Sequence, residues 1–291
     1  MALPTLNWQF GNRVWCYHTR MHSNPSFFAA FKRLNRATVR WLASWWQIFH
    51  FGISILAHMV SPASYDRTNR RAVAHHIVAG TTPNLLWFTV LTALISLVLI
   101  RIVVVTAISY GLSKYALEMV IRVLVLELIP LTAASFVALR CTLPDGIELA
   151  EMRLHGGLDA MRHQGLDPVR VEFLPRILAG VFTVLLLASV SCVSSLVLAY
   201  LTIYGFTPWA LAGYTRVVGQ VFNPGVTMIF ALKTIFFSLA VSLIPMASAL
   251  DDAVNARSQN RSKAANELAS MVRLFSVIFL IEVASLVGNY Y

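Results

Sequence analysis

The sequence predicts an all-α integral membrane protein: an N-terminal interfacial amphipathic helix, five transmembrane helices, and a cytoplasmic helix between the second and third of them. Three observations carry this. The 291 residues are 57% hydrophobic and only 12% charged, with a mean hydropathy of +0.67. The charges gather in the first 76 residues and in three short stretches further on. The long runs between them are nearly charge-free, as a bilayer demands, because lipid supplies no partners for polar groups. A soluble domain of this size needs a charged exterior along its whole length.

The first element is a helix over residues 26–60, within an N-terminal cytoplasmic or interfacial region, 1–76. Phe27, Phe31, Leu34, Leu42, Trp45, Phe49 and Leu56 recur at helical steps, and Lys32, Arg33, Arg36 and Arg40 occupy another sector of the wheel. A basic face opposite a Trp/Phe/Leu face lies in the membrane interface, with Lys32, Arg33, Arg36, Arg40 and Trp45 as anchors. The alternative is an ordinary helix packed on the bundle. Residues 61–76 are polar and basic, with Pro62 as a breaker, and read as a connector. Residues 1–10 lack the charged, apolar and small-residue regions of a cleaved signal peptide.

Five spans follow in a transmembrane domain over 77–291: Leu85–Ile108, Met119–Leu139, Ile177–Tyr204, Val226–Leu250 and Leu268–Val287. Each is near or above the ~20 residues that a ~30 Å hydrocarbon layer requires. Pro130 in the second and Pro245 in the fourth predict kinks where neighbours satisfy the freed carbonyls. Arginine and lysine crowd the N-terminal region, the loop between spans two and three (Arg153, Arg162, Arg170) and the loop between spans four and five (Arg257, Arg261, Lys263). The positive-inside bias then puts the N-terminus in the cytoplasm and the C-terminus outside, in a multi-pass protein of the inner membrane.

The net charge of +10 belongs to this bias and to the anionic inner leaflet, not to nucleic acid, since no zinc finger or RNP-like strand accompanies it. Cys16, Cys141 and Cys192 are an odd set, two of them in or beside apolar runs, and read as reduced packing residues. His18/His22 and His75/His76 do not make a metal site. Catalytic signatures such as H-E-x-x-H or G-x-S-x-G are absent, so nothing in the sequence argues for catalysis. It also lacks G-x-x-x-x-G-K-[ST]. An ATP-driven process therefore needs a separate ATPase chain to hold ATP and Mg.

Charges inside spans are costly and face protein or a polar cavity. Arg101, Glu127, Lys233 and Glu282 are such charges, and Arg140 lies at the end of span two. The functional reading is a polar lining or gate, with Arg101, Glu127, Arg140 and Lys233 as candidates. The structural reading is ion pairing within the bundle, or snorkelling.

Between spans two and three, residues 144–168 place Ile147, Met152, Leu154, Leu158 and Met161 at helical spacing among charges. Such a helix packs under its own bundle or docks into a partner's groove. Several motifs now combine. They are Glu127-Leu128-x-Pro130 with Ala138 and Arg140, Glu148-Leu149 with Met152-Arg153, and Asp159-Ala160-Met161 with Gly165-Leu166-Asp167-Pro168. Pro175-Arg176-Ile177-Leu178-Ala179 and Leu232-Lys233-Thr234-Ile235-Phe236-Phe237 complete the set. In this order and spacing the chain, from about residue 72 to 291, resembles the MlaE/YrbE permeases of Mce-associated lipid ABC transporters. It departs from the family's usual pattern at Ile129, at Gly156-Gly157, after Arg140, and across Asp251 to Glu267. Two glycines in the middle of the loop helix weaken it by roughly 1 kcal/mol each relative to alanine.

The resemblance implies a permease subunit moving phospholipid or another apolar lipid. It implies a homodimer or heterodimer of permeases with a P-loop ABC ATPase, an Mce-domain lipid carrier and a STAS-like subunit as partners. The loop helix becomes a coupling helix seated in the ATPase, with Glu148, Arg153, His155, Asp159 and Arg162 as contacts. An ATP-independent secondary transporter or channel, and a non-transporting scaffold subunit, are the rival readings. The first would show inverted repeats, and none is evident in the sequence.

Overall fold

A computed structural model describes residues 45–59, 67–112, 115–258 and 263–290. Among these the chain is helical, with no strand. In lipid each backbone N–H and C=O must bond within its own segment, so every long apolar run winds into a helix. The elements are α1 (residues 45–59), α2 (Arg67–Ser109), α3 (Ala116–Leu154), α4 (Gly157–His163), α5 (Val169–Tyr204), α6 (Leu211–Val221), α7 (Pro224–Ser258) and α8 (Lys263–Tyr290). Helices α2, α3, α5, α7 and α8 are long and apolar enough to cross a membrane. The five expected spans are therefore present.

The spans are longer than the apolar runs alone suggest. Helix α2 begins at Arg67 and runs through Pro83, so most of the stretch read as a polar connector is its first turns. Helix α3 continues without a break from the second span to Leu154. It contains two π-helical segments, Ile121–Leu128 and Ala138–Thr142, and α5 opens with a third, Val169–Phe173. Residues 144–168, expected as one short helix, are thus divided. The first part is the end of α3, and the second is α4 and its flanks. The break falls at Gly156, whose φ of +78° only glycine adopts freely. The two glycines therefore do not weaken a helix interior; they end one helix and start the next.

Hydrophobicity cannot hold helices together inside lipid, so close packing and interhelical hydrogen bonds must. The central core is accordingly rich in small residues: Ala133, Ala134, Ala138, Ala188, Ala240 and Ala247, around Phe88 and Phe237. Helices α2 and α5 are joined by paired buried hydroxyls, Thr81 to Thr183 at 2.9 Å and Ser96 to Ser195 at 2.8 Å. Helices α3, α5 and α7 approach so closely that a Cβ on Gly146 would lie 3.1 Å from the Pro245 carbonyl oxygen, and one on Gly180 would lie 2.6 Å from Ser242 Oγ.

Helix α1 packs on this bundle through Ile48 and Ile55, with Phe51 edge-on to Phe173 at 5.7 Å. Its other face leaves Trp46, Phe49 and Ile53 exposed. It is bundle-packed and apolar outside at once, which suits a helix between protein and lipid. The expected anchors Lys32, Arg33, Arg36 and Arg40 lie outside the described residues; Trp45 opens α1 and is half-buried.

Candidate functional site

Three charged residues inside the bundle, Glu127, Lys233 and Glu282, converge on one point. Pro130 supplies no N–H, so the carbonyl four residues before it, Leu126 C=O, loses its ordinary helical donor. Lys233 of α7 donates to that oxygen at 3.3 Å. The same ammonium is hydrogen-bonded to the Glu127 carboxylate and lies 2.8 Å from Glu282 Oε2 of α8. Asn289, two turns further along α8, donates through Nδ2 to Glu127 Oε1 at 3.3 Å. The Phe237 ring, one turn from Lys233, stands 5.8 Å from its Nζ. Side-chain exposure is 1% for Lys233, 13% for Glu127 and 10% for Glu282.

Local structure places these groups. Glu127 sits in the π-helical segment Ile121–Leu128, where the wider turn re-aims side chains relative to a regular helix. Glu282, Ser285 and Asn289 are spaced i, i+3 and i+7, so they share the inward stripe of α8. Buried charges persist only when paired, and three helices supply this pairing. The cluster ties α3, α7 and α8 together at a depth of about 14 Å from the start of α7, at ~1.5 Å per residue.

A second cluster lies near the junction of α3 and α5. Arg176, 7% exposed, holds Glu148 Oε1 through Nη2 at 3.0 Å and Glu172 Oε2 through Nη1 at 2.9 Å. Beneath it an apolar core of Leu149, Leu158, Phe173, Leu174, Ile177 and Met246 seats α4 and the end of α3 against α5 and α7. Asp167 accepts from the Val169 N–H at 3.1 Å and so caps the start of α5. The tip of this region is solvent-facing: His155, Asp159 and Arg162 are exposed, and Asp159 and Arg162 face each other at 4.0 Å.

Of the expected lining residues, Glu127 and Lys233 are brought into contact. Arg101 and Arg140 are exposed and stand apart from them. Of the expected coupling residues, Asp159, Arg162 and His155 form the exposed tip. Glu148 is bound inward to Arg176, and Arg153 is half-buried. Arg176 was legible only as part of a motif; its part as the hub for two carboxylates depends on α3 and α5 meeting, which no local spacing reveals. Asn289 carried no motif, although its i+7 spacing from Glu282 was a usable signal.

Replacing Gly156 with alanine is expected to cost about 1 kcal/mol, since the left-handed backbone there excludes a Cβ without strain. Limited proteolysis between α3 and α4 should speed up, with the spans unaffected.

No curated protein matches the chain. The model of the family Permease MlaE matches residues 73–287, from the start of α2 into the last turns of α8. By that match, carried across all five spans, the chain belongs to the MlaE permease family.

Proposed function

We propose that this chain is the membrane-spanning subunit of an ABC transporter that passes phospholipid, or another apolar lipid, between the membrane and an Mce-type carrier protein. The observation that carries the reading is the family match over all five spans, which makes the chain a lipid ABC transporter permease. The structure is compatible in its particulars. Two of these permeases, identical or related, enclose the lipid path. A P-loop ATPase holding ATP and Mg docks on the cytoplasmic side, an Mce-domain carrier on the outer side, and a STAS-like subunit joins the complex. The N-terminus is cytoplasmic and the C-terminus periplasmic, in the inner membrane.

In this arrangement α4 and the end of α3 form the lever. Asp159, Arg162 and His155 at the exposed tip meet the ATPase, and Arg153 borders the contact. Glu148 and Arg176 tie the lever to the base of α5, so a push on the tip is passed into a span. Glu127 and Lys233 sit deeper, in the outer half of the bundle, beside the lipid path. The tryptophan-bearing face of α1 rests in the interface.

The test is Asp159→Lys in the reconstituted complex. ATPase association is expected to fall tenfold or more, and ATP-driven lipid transfer between proteoliposomes with it, at unchanged thermal stability. Unchanged association and transfer remove Asp159 from the interface. A labelling reporter at Asp159 that reacts from outside the cell overturns the orientation and the coupling scheme together.

A further inference from the structure

Glu127, Lys233 and Glu282 present two carboxyl groups to one ammonium, away from water. With both carboxyls ionised the cluster carries a net charge of −1. Among the described residues, Lys233 is the cation in ion-pair contact with either carboxyl; Asn289 and Ser285, the other polar members of the stripe, are neutral. A lone buried charge is avoided when the group can be neutralised instead. Glu282 Oε2 is enclosed and accepts no hydrogen bond, so it has no donor to hold a full negative charge.

We propose that this cluster is a proton-binding site: of its two carboxyls, Glu282 carries one exchangeable proton. Donor counting selects Glu282. Glu127 accepts from Lys233 and from Asn289 Nδ2. Glu282 Oε2 has the ammonium alone, at 2.8 Å, and accepts no hydrogen bond. The ammonium and the ionised Glu127 then balance, and the cluster is neutral with a single proton bound. This assignment concerns the charge state of the bundle and is independent of which lipid the chain moves.

The experiment is infrared difference spectroscopy on the full-length protein in lipid nanodiscs at pH 7, in H2O and D2O. The wild type is expected to show the carbonyl stretch of one protonated carboxylic acid, shifted down in D2O. Glu282→Gln should lose it, because the remaining Lys233–Glu127 pair is neutral without a proton. Glu127→Gln should lose it for the same reason. Lys233→Met should roughly double the band, since both carboxyls must then be neutral. If Lys233→Met does not fold, the two glutamine variants carry the comparison alone, as each keeps the side-chain shape. A wild-type-minus-Glu282→Gln spectrum without the band overturns the proposal.

Discussion

Lys233→Met is expected to destabilise the protein by about 3–5 kcal/mol, the cost of breaking a buried pair from one side. The variant leaves two carboxyls at 10–13% exposure without a cation and takes the donor from the Leu126 carbonyl. Thermal unfolding in detergent, followed by helical circular dichroism, should show the loss. The deficit should shrink in acid, where the unfolded chain's carboxyls are protonated too and neutralising the buried pair costs little. Removing all three charges together (Lys233→Met, Glu127→Gln and Glu282→Gln) should cost less than Lys233→Met alone, because no buried carboxyl then has to be neutralised. Arg101→Met is the control. Arg101 is exposed, and stability should change by no more than ~0.5 kcal/mol. If Lys233→Met is as stable as the wild type, the cluster does not hold α3, α7 and α8 together.

Gly180→Ala is expected to cost about 1–3 kcal/mol by overpacking. The new Cβ would sit 2.6 Å from Ser242 Oγ, 3.3 Å from Ser242 Cβ and 3.1 Å from Thr142 Cγ2. Ser242 is fully buried, and its hydroxyl donates to Ser238 C=O at 2.8 Å, so it gives way only by surrendering that bond. Helices α3 and α7 must then move off α5. Adding Ser242→Ala removes the nearest clash, and the double variant should recover part of the loss, a coupling within the usual range of about 0.5–3 kcal/mol for contacting residues. Purely additive losses would show that the three helices do not meet closely at this glycine. On the proposed coupling scheme, ATP-driven lipid transfer should fall alongside stability.

Both effects arise where local sequence conflicts with the bilayer's rules. Glu127, Lys233 and Glu282 are each legible as charges inside apolar runs, and their cost in lipid requires each to face protein or a polar cavity. Which pairs with which is not legible, because Glu127 and Lys233 are 106 residues apart. Arg101 and Arg140 carry the same sequence signal and lie on exposed faces, since a long side chain near the end of an apolar run can snorkel. Glycine shows the same division. Gly156 and Gly157 read as weak points in a helix, yet Gly156 is the turn between two helices. Gly180 stands out in no motif, yet it lies at the tightest glycine crossing among the described residues.

Composition and the periodicity within single helices were enough to establish the membrane class, the five spans and the surplus of basic residues on one side, and motif order added the family resemblance. They suffice because lipid forces each segment to satisfy its own backbone. Only the assembled bundle reveals that α3 runs on to Leu154, that Arg176 grips Glu148, and that one ammonium serves two glutamates. Those facts depend on which faces of separate helices touch. In lipid that choice is made by close packing and polar pairing between distant residues, which no local pattern encodes.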